Sequence, residues 1–200
     1  MFSRKHASRD AKRFREKGLT GSSRVLVELA GDVRNATVLD VGGGIGAIDL
    51  ELLAAGAERA TNVELSGGYE EAAAELIAER RLEGRVERRV SDFVTEGAAL
   101  APHDIVVMHR VVCCYPDVDA LVGAAAEHTR RRLVLTYPQE HVWLRIGFGA
   151  INLGLRLAGC GFRTYVHPVS RILGAAEVHG LRLHERRRHG PLWESAALVR

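Results

Sequence analysis

Apolar residues in this chain keep two periods. Runs of strand length, rich in aliphatic residues, recur at Val38–Val41, Ala60–Leu65, Val86–Val90, Asp104–His109 and Leu133–Tyr137. Segments at helical spacing separate them: Ala47–Ala57 ended by Gly56, Gly68–Leu82 stopped by Gly84, and Pro116 to Thr129. Within the fourth run, Ile105-Val106-Val107-Met108 is apolar at consecutive positions, as in a strand buried on both faces. Steady alternation of strand and helix predicts an α/β fold, a Rossmann-like parallel sheet with helices on both faces.

The ends depart from that rhythm. The first ~20 residues predict a basic helix whose large apolar groups are Phe2, Phe14 and Leu19. Gly18 ends it, and Thr20-Gly21-Ser22-Ser23 offers an N-cap to a second helix, Arg24–Ala30, so residues 1–31 read as an N-terminal helical extension. After the fifth strand, His141–Ala158 is apolar nearly all round, broken by Arg145, Asn152 and Arg156 and ended by Gly159-Cys160-Gly161. A helix of that kind is buried, docked on a partner or laid on a membrane surface. Residues 141–161 are therefore expected to be a helical insertion acting as a lid over an apolar or planar acceptor, with a homodimer contact as the second use. Phe162–His167 is extended, Val169–Val178 helical, and Leu181–Arg186 with Trp193–Val199 predict an antiparallel pair turning at Arg188-His189-Gly190-Pro191. That makes a seven-stranded sheet in a single domain, 1–200.

Composition narrows the class. Two hundred residues, 46% hydrophobic and 26% charged, suit one soluble domain able to bury most of its apolar surface. No apolar run approaches the ~20 residues of a membrane span. Met1-Phe2-Ser3-Arg4-Lys5-His6 leads into no apolar core or cleavage site, so no secretory leader is expected. Three cysteines, Cys113, Cys114 and Cys160, fit a reduced, cytoplasmic setting. The net charge of +3 is concentrated in residues 1–17, with seven Lys/Arg against Asp10 and Glu16, and in Arg182–Arg188. Solvated faces are the plain reading; an anionic substrate or a nucleic-acid backbone is the sharper one.

The chemistry starts at Thr37-Val38-Leu39-Asp40-Val41-Gly42-Gly43-Gly44-Ile45-Gly46. Strand, glycine turn and helix place a nucleotide-like ligand at the carboxyl edge of a parallel sheet. Gly42-x-Gly44-x-x-Ala47 also fits a tolerant dinucleotide fingerprint, so the glycines alone choose no cofactor. Glu64 closes the second strand, where a carboxylate can accept both ribose hydroxyls. Asp92 closes the third, where it can accept from an adenine amino group while the backbone of Phe93 reads the ring. Asp40, beside the turn, could meet an amino-acid ammonium. A dinucleotide has no particular need of the acid at Asp92.

Asp40-x-Gly42-x-Gly44-x-Gly46, Glu64 and Ser91-Asp92-Phe93, in order at three strand ends, resemble the class I S-adenosylmethionine-dependent methyltransferases over Val38–Tyr137. The terminal strand pair looks like that family's hairpin. The resemblance implies S-adenosyl-L-methionine as cofactor, held by Asp40, Gly42, Gly43, Gly44, Gly46, Glu64, Leu65, Asp92, Phe93 and His109. It also implies in-line methyl transfer to a small-molecule acceptor, with oxygen as the expected atom. The basic first helix and the apolar insertion are loosely similar to the magnesium-protoporphyrin O-methyltransferase group, which implies an acceptor under a lid without identifying porphyrin.

His109, at the end of the fourth strand, could line the cofactor or act as base; His141 and His167, beyond the fifth, are further catalytic candidates. Arg110 could hold an acidic substrate. Cys113 and Cys114 read as small apolar groups; a nucleophile would want a Pro-Cys pair, and zinc the CxxC spacing, so no metal is expected. Cys113-Cys114-Tyr115-Pro116 replaces the (Asp/Asn)-Pro-Pro-aromatic motif of nucleic-acid amino-methyltransferases, which disfavours nucleic acid as partner. An RNA methyltransferase using the basic helix, a nicotinamide-dependent reductase and a non-catalytic cofactor-binding protein stay open.

Overall fold

The computed structural model describes residues 4–200, so Phe2 lies outside the described residues. Strand β4 (His103–His109) shows how the apolar pattern becomes a sheet. Ile105 and Val107 pack on one face with Leu26, Leu29, Val38, Leu52 and Val134. Val106 and Met108 pack on the other with Leu39, Leu121, Leu133 and Leu135. Alternate side chains serve opposite faces, so the consecutive apolar run is what a doubly covered strand requires.

The seven strands are β1 (Thr37–Val41), β2 (Arg59–Glu64), β3 (Val86–Val90), β4, β5 (Thr129–Pro138), β6 (Arg182–His189) and β7 (Trp193–Val199). Their spatial order is β3-β2-β1-β4-β5-β7-β6. The first five are parallel, with Val38 opposite Ile105 and Val107 opposite Val134. β7 lies antiparallel between β5 and β6. From β1 the chain runs outward to β3 and then returns to β4 beside its start. The carboxyl ends of β1 and β4 therefore flank the switch point where such sheets bind ligands.

Helices α2 (Ser22–Ala30) and α3 (Ala47–Ala54) cover one face; α6 (Val118–Glu127) and α8 (Val169–Glu177) cover the other. Helix α1 (Arg4–Lys17) docks on α4 (Glu70–Glu79) through Ala7, Ala11 and Phe14, an i, i+4, i+7 stripe against Tyr69, Ala72, Leu76 and Ile77. Two of its seven basic side chains pair with acids of α4. Arg15 bridges Glu75 and Glu79 at 3.1 and 2.6 Å, and Arg4 lies 3.8 Å from Glu71. The second basic cluster is answered: Arg186 and Arg188 meet the buried Glu194, and Arg187 meets Glu28 and Glu185. Arg186, Arg187 and Arg188 thus form an ion-paired face, whereas α1 is only partly paired.

Boundaries shift where tertiary partners decide. β5 starts at Thr129, four residues early, because β4 and then β7 pair along its length. β6 runs on to His189 through pairing with Trp193. A short helix α5 (Phe93–Glu96) follows β3, capped by Asp92, whose Oδ1 accepts from the Val94 N–H at 2.9 Å. Neither Thr20 nor Ser23 caps α2; Gly21 does, and Ser22 turns its hydroxyl inward.

The insertion forms helix α7 (Val142–Leu157), of which Leu144 is the one buried residue. Among the described residues no helix is long and apolar enough to cross a membrane. Position in this fold sets the cost of truncation. Leu133→Ala, at a fully buried site, should lose about 2–5 kcal/mol in urea unfolding. Leu157→Ala, at an 81% exposed site, should stay within about 0.5 kcal/mol. Equal losses would contradict the placement of α7.

Candidate active site

The carboxyl edge of β1, β2, β3 and β4 opens into a cleft of about 590 Å³, closed on its far side by α1 and the α1–α2 connection. Its floor is the glycine loop. Gly43 passes so close to the Asp40 and Asn62 side chains that a Cβ there would overlap both. Gly46 leads into α3 with φ +76°, a conformation that strains other residues. The loop is tied down from three sides. Gly42 N–H donates to Val63 O at 2.7 Å, Gly44 N–H to Glu64 Oε2 at 3.0 Å, and Arg88 Nη2 to Gly44 O at 2.8 Å.

Beneath the loop lies a buried polar cluster. Asp49 Oδ2 accepts from Asn62 Nδ2 at 2.6 Å, and Arg88 also pairs with Glu70 at 2.8 Å. Asp40 is fully buried. Burial first, then the carboxylate of Asp49, raise its pKa well above the ordinary range. Burial likewise lifts Asp49 to about 6, against the pull of Asn62 and Arg88. Burial and the neighbouring Asp49 carboxylate thus favour the protonated form of Asp40. Asp40 borders the cleft beneath the loop, and both its carboxyl oxygens are buried.

One wall is acidic. Glu64 accepts from Gly44 N–H and, through Oε1, from Ser66 N–H at 2.9 Å. Those two bonds leave lone pairs on both oxygens. Asp92 holds the start of α5 and lies 3.4 Å from the Tyr115 hydroxyl, which donates to it. Leu65, 69% exposed, and the buried Phe93 add apolar surface beside these acids. Gly42, Gly43, Gly44, Glu64, Leu65, Asp92, Phe93 and His109 line the cleft together; Gly46 stands just behind, at the helix start.

The opposite wall is basic. Arg110 leaves β4 in the left-handed region, φ +59°, with its guanidinium 4.6 Å over the Trp193 ring. Its Nη2 donates to Ser22 Oγ at 3.0 Å, and Arg13 Nη2 donates to Thr20 Oγ1 at 2.9 Å. Two hydroxyls two residues apart thereby hold two guanidiniums at one rim. Neither cation has a carboxylate within ion-pair distance among the described residues; Asp10, one turn before Arg13 on α1, pairs with neither.

Of the three candidate histidines, only His109 lines the cleft. Its Nε2 is 3.0 Å from Ser22 Oγ. Burial, then Arg110 and His189, push its pKa down to about 3. His141 stacks on Trp143 and bonds Gln139. His167 bonds the Tyr115 carbonyl at 3.0 Å and stacks on Tyr165. No residue of 141–161 lines the cleft either; Phe162, just beyond, does. Cys113 is buried and its thiol lies 3.6 Å from that of Cys114, which faces the cleft.

Sequence reasoning missed Asn62, Asp49, Arg88, Arg13 and Ser22. Asn62 carried a signal, an amide in the middle of a short strand that is buried in the sheet. Asp49, Arg88 and Ser22 look like ordinary surface polarity until the fold turns them inward, and Arg13 stays exposed at the cleft rim.

By sequence, no family model and no curated protein matches the chain. Solved structures match in fold. The chain is similar to magnesium protoporphyrin IX methyltransferase from Synechocystis PCC 6803, with TM-score 0.71, 18% identity, and 89% of this chain and 82% of that one covered. It is similar to an O-methyltransferase family protein from Burkholderia thailandensis, with TM-score 0.73, 20% identity, and coverage of 89% and 55%. Geranyl diphosphate C-methyltransferase from Streptomyces coelicolor A3(2) gives TM-score 0.73 at 15% identity, with coverage of 89% and 76%. The chain has the fold of the S-adenosylmethionine-dependent methyltransferases, with its cleft at that fold's switch point.

The buried acid pair fixes a pH dependence. A carboxyl whose folded pKa lies above its unfolded value of about 4 weakens the fold as pH rises from the unfolded pKa through the folded one. Asp40→Asn keeps the donor and removes the titration. Its Tm relative to wild type should climb as pH rises above the unfolded carboxyl value of about 4. A difference that stays flat with pH would show that Asp40 is ionised.

Proposed function

We propose that the chain transfers the methyl group of S-adenosyl-L-methionine to an oxygen of a small anionic acceptor, and that a carboxylate fits the cleft best. The residues present fit the cofactor. Glu64 keeps lone pairs for two ribose hydroxyls, and Asp92 with the backbone of Phe93 suits an adenine edge. The loop from Gly42 to Gly46 leaves room for the methionine part beside His109. The Synechocystis and Streptomyces proteins, whose structures hold S-adenosylhomocysteine, support the choice of cofactor. Bound there, the cofactor supplies an electrophilic methyl on a sulfonium, open to in-line displacement by an acceptor oxygen.

One observation carries the acceptor class: two guanidiniums without carboxylate partners stand beside a histidine that is a poor base. A general base works best with a pKa near the operating pH. His109, at about 3 and hydrogen-bonded to Ser22, is far from that. An alcohol or phenol would need its proton removed, whereas a carboxylate arrives without one. Arg13 and Arg110 can hold and orient it, with Arg110 itself braced by Trp193 and Ser22. Orientation and exclusion of water can supply up to about 7–11 kcal/mol of barrier lowering.

Methyl-tritiated cofactor incubated with aromatic and aliphatic carboxylic acids, and with matched alcohols and phenols, tests the reading. The label should enter acids alone and leave as methanol in mild alkali, as esters do. Arg110→Gln should raise the acceptor KM about tenfold or more, the value of a hydrogen bond to a charged group, and leave S-adenosylhomocysteine affinity unchanged. Alkali-stable label, or transfer to phenols alone, would refute the carboxylate.

A further inference from the structure

Helix α7 is apolar on its outward face as well as on its inward one. Leu144, Phe148, Asn152 and Leu155, at spacings of four, four and three, face the body of the protein. Asn152 fastens that face: its Nδ2 donates to Thr164 O at 2.7 Å and its Oδ1 accepts from Thr164 N–H at 2.8 Å. The outward face carries Val142, Ile146, Leu153 and Leu157, flanked by Trp143. Val142 is 73% exposed and Ile146 69%. A helix on a water-facing surface normally turns this stripe inward.

The segment that follows α7 reaches the cleft. The chain returning from α7 donates Tyr165 N–H to Cys113 O at 2.8 Å, and Phe162 in that stretch lines the cleft. Charge says what covers the outward stripe. From residue 141 to residue 176 there is no Asp or Glu, while Arg145, Arg156, Arg163 and Arg171 fall in that span. Arg145 pairs with Glu140 and Arg171 with Asp119; Arg156 and Arg163 meet no carboxylate among the described residues.

We infer that α7 is an interfacial helix that seats the rim of the cleft on an anionic lipid bilayer. Its outward side chains enter the headgroup–acyl boundary, and Arg156 and Arg163 face the lipid phosphates. At 16 residues the helix is about 24 Å long, short of the bilayer core, so it lies on the surface rather than crossing it. A second copy fits less well. The stripe offers a handful of side chains against the about 20–30 residues a side of a stable interface, and a copy would bring the same unpaired cations and no carboxylate. The inference does not depend on the identity of the acceptor.

Flotation of the full chain with vesicles of phosphatidylcholine, with and without phosphatidylglycerol, tests it. Wild type should float with the anionic vesicles and much less with the zwitterionic ones. The outward pair Ile146→Glu/Leu153→Glu should reduce the bound fraction about tenfold or more, with its melting curve preserved. Arg156→Glu should weaken binding to anionic vesicles only. Wild type that does not float, equal flotation of the double variant, or equal flotation on both lipids would overturn the inference. So would a dimer in light scattering that the double variant dissolves while vesicles bind nothing.

Discussion

Everything at this cleft depends on holding a half-buried glycine loop flush against the ends of β1 and β2. A loop of glycines has high conformational entropy to lose, and its peptide groups need partners. Glu64 takes the Gly44 N–H, Val63 takes the Gly42 N–H, and Arg88 supports the Gly44 carbonyl. Asp40 fills the space under Gly43, which is why no side chain is tolerated there. Its proton matters as much as its shape: an ionised Asp40 beside Asp49 would place two like charges in a dry pocket. A protonated Asp40 lets the loop sit low without that cost.

Once the loop is fixed, charge divides the cleft. β2 and β3 end in acids, while the basic side is assembled from α1, the α1–α2 turn and the residue after β4. The division comes from topology. Strands whose carboxyl ends share an edge bring Glu64 and Asp92 together, and the docking of α1 on α4 carries Arg13 across to meet Arg110. The ordinary ion pairs of α1 with α4 hold one rim of the cleft in place.

Much of this was legible in the sequence, for physical reasons that differ by element. The parallel strands could be read because doubly buried strands leave a run such as Ile105–Met108. The acids could be read because each closes a strand. The terminal hairpin followed from its turn residues, though its length did not, since pairing of β7 extends both neighbours. What stayed hidden depends on direction in space. Asp40 was legible beside the glycine turn, and it borders the cleft, but the burial of its oxygens depends on how the loop lies over them. His141 and His167 fall near the right strand end but bond elsewhere. Helix α7 was visible as apolar nearly all round; which side faces out could not be read from that, because both sides are apolar.

The central claim is that the acidic edge of the sheet reads the nucleoside of S-adenosylmethionine. Isothermal titration of the purified chain with S-adenosylhomocysteine, alongside NADH and NADPH, tests it most directly. The account predicts binding of S-adenosylhomocysteine in the micromolar range, its loss in Glu64→Ala, and no heat from either nicotinamide. Nicotinamide binding, or S-adenosylhomocysteine bound equally by wild type and Glu64→Ala, would contradict it.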